Sequence, residues 1–151
     1  MANSPSANPS GRILLVDDNC LGLAARRSVL EELGHQVKTC GNAVDALELC
    51  GKQSFDVVVT DYKMPKMNGV EFISRLRKLH PATSVILISG FTDTLGLDEA
   101  NTGADIVLQK SNNEVPQLIR AVTRLLRKQQ QPPKKPTASQ SGLKTEKRKT
   151  R

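Results

Sequence analysis

The stretch VVVTDYKMPKMNG, Val57 to Gly69, sends four β-branched residues straight into a carboxylate and then into a loop broken by Pro65 and Gly69. β-Branched side chains favour strands, and a run with no polar face fits a strand covered on both sides. Asp61 stands at the end of that strand, where an unpaired charge is expensive. Its compensating charges have to come from other segments that end at the same place.

Outward from this stretch, the third strand reads as Phe55 to Thr60, and four similar runs stand at Arg12 to Val16, Gln36 to Cys40, Ser84 to Ile88 and Asp105 to Leu108. The intervals carry apolar residues at helical spacing: Leu23, Val29, Leu30 and Leu33; Val44, Leu47, Leu49 and Cys50; Val70, Phe72, Ile73, Leu76 and Leu79. Gly34, Gly51 and Pro81 are the expected stops of these helices. A last helix is predicted over roughly Asn113 to Lys128, with Leu118, Val122, Leu125 and Leu126 on one face and Pro116 in its first turn. FTDTLGLDEANTG, with three Thr and Gly96, predicts only a short, weak helix after the fourth strand.

Strands alternating with helices imply right-handed β-α-β units, and hence an α/β fold with a doubly wound, five-stranded parallel sheet. In the flavodoxin-like (βα)5 order 2-1-3-4-5, ligands bind outside the carboxyl ends of the strands. The residues at those ends are Asp17 and Asp18 after the first run, Asp61 after the third, Ser89 and Gly90 after the fourth, and Lys110 after the fifth. Three crowded carboxylates repel one another unless positive charge is supplied. A hard divalent cation and Lys110 would supply it. With oxygen donors only and no His or Cys near the strand ends, Mg²⁺ fits better than zinc or calcium. A metal-bound carboxylate with an open side suggests phosphoryl chemistry, with Asp61 as nucleophile and Ser89, Gly90 and Lys110 donating to the phosphoryl oxygens. In isolation each of these residues has a plainer role: a helix cap for Asp17 or Asp18, a turn residue for Ser89, a solvated charge for Lys110. Their joint placement favours the site.

Composition bounds the remaining options. The chain has 151 residues and a net charge of +7, but seven Lys and Arg against Glu146 alone lie in 129–151, so the body is almost neutral. Residues 11–128 read as one domain, 1–10 as a disordered N-terminus and 129–151 as a disordered basic tail, poor in apolar residues. The tail reads as a solubilising extension or, more sharply, as a contact for an acidic surface or nucleic acid. There is no secretory signal and no run of about 18 apolar residues, so a cytoplasmic protein without a membrane span is expected. Cys20, Cys40 and Cys50 are odd in number and lack C-x-x-C spacing, which suggests buried, reduced thiols.

The acidic pair in LLVDDN, the acceptor in TDYKMPKMNG, the hydroxyl in LISG and the lysine in VLQK resemble, in order and on the expected strands, the receiver domain of two-component response regulators. The resemblance covers about Arg12 to Lys128. It implies a phosphoryl group taken by Asp61 from a phosphohistidine on a sensor histidine kinase or phosphotransfer protein, a requirement for Mg²⁺, and slow loss of the phosphoryl group by the domain's own action. It implies Asp17, Asp18 and the main-chain carbonyl of Lys63 as metal ligands beside Asp61, Ser89 as the switch hydroxyl and Lys110 as the paired lysine. Lys63 and Phe91 occupy the positions that tune phosphate lifetime in the family.

Two positions depart from the family pattern. Val107 stands where an inward-turning aromatic residue is common, and Ser111 follows Lys110 where a cis proline is common. A cis bond before Ser111 would cost about 3 kcal/mol, so a rebuilt trans turn is expected. The resulting expectation is a phosphoacceptor receiver that signals to an unnamed downstream protein, either standing alone or as part of a longer protein. The alternative is a receiver-like scaffold or adaptor whose output is independent of phosphate. A haloacid-dehalogenase-type hydrolase is disfavoured, because Lys63 stands where such an enzyme places a second acid.

Overall fold

The computed structural model describes residues 9–90 and 95–130. Five parallel strands, β1 (Arg12–Val16), β2 (Gln36–Cys40), β3 (Val57–Asp61), β4 (Ser84–Ser89) and β5 (Ile106–Gln109), form one sheet in the order β2-β1-β3-β4-β5. The helices whose bounds fall within the described residues are α1 (Cys20–Glu32), α2 (Ala43–Lys52), α3 (Gly69–Leu79), the single turn α4 (Glu99–Thr102) and α5 (Glu114–Gln130).

Strand alternation divides the core into two layers. Leu14, Val16, Val58, Val85 and Leu87 face α2 and α3, where they meet Ala43, Ala46, Phe72, Ile73 and Leu76. Ile13, Leu15, Val57, Val59, Ile86 and Ile88 face the opposite way, against Leu23 and Leu30 of α1 and Leu118, Val122 and Leu125 of α5. All five residues of β3 are buried, which is why VVVTD carries no alternation.

Local chemistry explains where α1 and α3 begin and end. Asn19 caps α1 by accepting the N–H groups of Leu21 and Gly22, and Asn68 caps α3 by accepting that of Glu71. The end of α1 is a Schellman turn: Gly34 N–H donates to Glu31 O and His35 N–H to Leu30 O, with Gly34 at φ +97°. Gly51 does not end α2. The helix runs past it to Lys52, held by the buried Cys50 one residue earlier, and Gln53 turns out in extended conformation. The buried stripe of α2 is Ala43, Ala46 and Cys50 while Val44 is exposed, so small residues and not the branched one pack on the sheet. The helix α5 continues to Gln130, two residues into the stretch that composition assigns to the tail, and Gln129 Nε2 donates to Asp56 O and Ser84 Oγ. The calls of disorder for 1–8 and 131–151 lie outside the described residues.

All three thiols are free, but only Cys50 is buried. Cys40 is half-buried and Cys20 exposed, because the first turn of α1 points Cys20 away from the Leu23, Arg26, Leu30 stripe. Beside β5, which among the described residues borders only β4, Glu99 Oε2 of α4 accepts the outward N–H of Val107 at 3.0 Å.

The loop after β3 is tightly built. Met64 and Met67 are buried and anchor it, while Lys66 between them takes φ +72° in a γ-turn closed by Met67 N–H donating to Pro65 O at 2.7 Å. Gly69 N–H then donates to Tyr62 O at 2.7 Å. A methyl at Gly69 would collide with Asp61 O and come within 2.9 Å of Leu87 Cδ1. Only glycine lets α3 start this close to the end of β3.

Two outcomes follow from this packing. Gly69→Ala should cost about 1–3 kcal/mol in urea unfolding through overpacking at the Asp61 carbonyl, with the Asp61 amide among the most shifted in an NMR spectrum. His35 is buried, its Nδ1 accepts the Gly11 N–H at 3.2 Å, and burial lowers its pKa from 6.5. The unfolded chain then binds a proton that the folded one refuses, so stability is complete above pH 6.5 and falls as pH drops below it. Thermal melts from pH 7.5 to 5 should show this loss, and His35→Asn should remove that part of the slope.

Candidate functional site

The carboxyl ends of β1, β3, β4 and β5 open into one cleft of about 560 Å³, lined by Asp17, Asp18, Asp61, Lys63, Gly90 and Lys110 among others. Each residue arrives there by strand register. Val16 pairs with Thr60 and Asp61 with Ile88, so the chain leaving β1 emerges beside the end of β3. Ser89 pairs with Gln109, and Lys110 N–H donates to Ser89 O at 3.0 Å, which carries the ladder one residue further and aims Lys110 at the cleft. Lys110 Nζ lies 2.9 Å from Asp61 Oδ1. No peptide bond among the described residues is cis, so the turn at Ser111 is the expected trans form, and it keeps Lys110 on Asp61.

Asp17, Asp18 and Asp61 each offer an oxygen, and these atoms all lie within 4.8 Å of one another. Asp17 and Asp61 are buried at 1% and 4% exposure, whereas Asp18 is exposed. Burial pushes the Asp61 pKa up, and the Asp17 charge adds to the rise; Lys110 and Arg26 work the other way. The cluster is thus an all-oxygen, net-negative donor set with one open side, which fits a hard divalent cation. The remaining expected residues take different places. Lys63 is exposed on the cleft rim, Gly90 lines the cleft, and Ser89 is buried at the end of β4 just behind it. Val107 is half-buried opposite Leu87. Phe91 lies outside the described residues.

Two further residues belong to the site and are not legible from motif spacing. Asp17 Oδ1 accepts the Asn19 N–H at 3.0 Å, and its Oδ2 accepts Arg26 Nη1 at 2.9 Å. Arg26 Nε donates to Glu114 Oε2 at 2.7 Å. Arg26 is 6% exposed, and these two carboxylates raise its pKa against the lowering effect of burial. The available signal was an arginine three residues after Leu23 and four before Leu30, inside the apolar stripe of α1, where a charge must find a partner. Exposed pairs such as Arg27–Glu31 and Arg75–Glu71 are worth only about 0.3–0.5 kcal/mol each. Removing one partner from a buried pair costs about 3–5 kcal/mol, so the Asp17–Arg26–Glu114 chain ranks with the core in importance.

Comparison with known proteins agrees with this geometry. A histidine kinase of Oryza sativa subsp. indica, described as probable histidine kinase 1, is 35% identical over 74 residues, which is 49% of this chain and 8% of that protein. The chain therefore spans a small part of that relative's length. Among solved structures, the Thermotoga maritima response regulator TrrA in complex with Mg²⁺ and beryllofluoride is similar at TM-score 0.69 and 29% identity, covering 76% of this chain and 97% of that one. The receiver domain of Francisella response regulator 1452 matches at TM-score 0.72 and 28% identity over 80% and 99% of the two chains. The response regulator receiver domain matches residues 13–129, and with its fold and acidic cleft in agreement the chain belongs to that family.

Proposed function

We propose that this chain is a phosphoacceptor switch in which Asp61 takes a phosphoryl group from a phosphohistidine of a sensor histidine kinase or phosphotransfer protein. The observation that carries the proposal is the meeting of Asp61 and Lys110 at 2.9 Å beside two further carboxylates, in a cleft open to an incoming group. Family membership and the likeness to a receiver bound to Mg²⁺ and beryllofluoride support it.

In this reading an Asp61 carboxylate oxygen forms a bond to phosphorus as the phosphorus–nitrogen bond to the donor imidazole breaks. Asp17, Asp18, Asp61 and the Lys63 main-chain carbonyl would hold Mg²⁺, which when bound would supply positive charge to the phosphoryl oxygens. Lys110 leaves its contact with Asp61 for a phosphoryl oxygen, and the Gly90 N–H and the Ser89 hydroxyl donate to the others. Ser89 reaches this role by a small movement at the end of β4, the motion that would carry the signal into the segment that follows. The domain acts on itself and slowly loses its own phosphoryl group; it turns over no separate substrate. The output is altered binding of a partner protein. Because Val107 replaces the usual aromatic residue, that output relies on the segment after Ser89 and on α5.

Incubation with acetyl phosphate and Mg²⁺, read by intact mass, should give one phosphoryl adduct on the wild type, none on Asp61→Asn and none after chelation of Mg²⁺. Lys110→Ala should bind Mg²⁺ yet lose most of the adduct. A folded wild type that stays unmodified, with no amide shifts on addition of Mg²⁺ and beryllium fluoride, would overturn the reading in favour of a phosphate-independent scaffold.

A further inference from the structure

Arg26 carries one positive charge and divides it between a buried acid, Asp17, and a half-buried one, Glu114, 97 residues apart along the chain. Nη1 is committed to Asp17 at the mouth of the cleft, and Nε to Glu114, the first residue of α5, which is 15% exposed. Both Asp17 oxygens already have donors, Asn19 N–H on one and Arg26 on the other. We propose that Arg26 is a positioning residue for the cation site, sharing its charge between Asp17 and Glu114 so that occupancy of the acidic cluster is read out at the first turn of α5.

The argument is one of charge conservation around a buried group. A divalent cation drawn to Asp17, Asp18 and Asp61 places two positive charges beside the Asp17 end of the guanidinium and repels it. An arginine paired to Asp17 alone would be left uncompensated in the core, at a cost that would oppose the cation. Glu114 removes that obstacle, because the guanidinium can lean towards it without losing a carboxylate partner. Glu114 itself is held where a negative charge suits the start of a helix. By linkage the coupling must run both ways: whatever loosens Arg26 from Glu114 returns its charge to Asp17 and weakens cation binding. The far end of α5 is fixed by Gln129 on Asp56 and Ser84, so the change is confined to its first turns.

The inference rests on the reading of the acidic cluster as a Mg²⁺ site, and one titration tests the two separately. Mg²⁺ alone, at constant ionic strength, is added to wild type, Arg26→Gln and Glu114→Gln, and binding is followed by NMR at the Asp17, Asp18 and Asp61 amides. Arg26→Gln removes the competing charge and should tighten Mg²⁺ binding; Glu114→Gln concentrates that charge on Asp17 and should weaken it. Each change should be about threefold or more, about threefold being what half a charge roughly 6 Å from a divalent ion gives even at the dielectric of bulk water. In the wild type, the Arg26 Nε–H and Glu114 amide signals should shift with the same midpoint as Asp61, a measurement that does not depend on either variant folding. Absence of any saturable shift at the three aspartates would remove the Mg²⁺ site itself. Saturation there with Arg26 and Glu114 silent, or with both variants moving affinity in the same direction or not at all, would leave the site intact and overturn the coupling.

Discussion

Everything at the cleft depends on keeping carboxylates at the ends of strands that are otherwise largely apolar. Burial and the neighbouring Asp17 charge both oppose ionisation of Asp61, and Lys110 at 2.9 Å together with Arg26 opposes them in turn. The two cations arrive from different directions. Lys110 comes along the sheet from β5, and Arg26 comes from the helix layer beneath, so each of the two buried acids is met without closing the side from which a ligand must enter. At an effective dielectric of about 20, unit charges 4 Å apart interact by about 4 kcal/mol, comparable to the several kcal/mol lost when each ion leaves water. The balance is close, which suits a site meant to change its charge.

The sheet supplies the geometry that makes this balance reproducible. Parallel pairing brings four strand ends to the same edge, and complete burial of β3 fixes its register from both faces. The loop that follows β3 is equally constrained: two methionines in the core, a γ-turn at Lys66 and a glycine in contact with the Asp61 carbonyl leave the acceptor strand little freedom. The MPKMNG sequence is therefore a structural specification for the position of Asp61, residue by residue.

Much of this was legible in the residues. Runs such as ILLV and VILI mark strands buried on both faces, and their ends name Asp17, Asp61, Gly90 and Lys110 as neighbours once the strand order is assumed. What stayed hidden was hidden for physical reasons. Arg26 and Glu114 meet through tertiary packing, and nothing in the local spacing of either announces the other. The stripe of α2 runs through alanines, which carry little hydrophobic signal, while the exposed Val44 carries more. Gly51 in the final turn of α2 looked like a stop because glycine so often is one; its cost there, about 1 kcal/mol, is small beside the burial of Cys50. Cys20 is exposed, against the expectation of a buried thiol, because a helix's first turn does not yet show in sequence which way it faces.

The contact between Glu99 and the Val107 N–H has a consequence for the life of the protein at high concentration. β5 is a border strand, and a border strand with free amides is a template on which another chain can add. A single carboxylate on a four-residue helix occupies one of those amides. Any rearrangement of that short turn would strip the cover from the border and leave it adhesive to a second strand. A protein built this way has reason to keep such rearranged states brief or promptly capped.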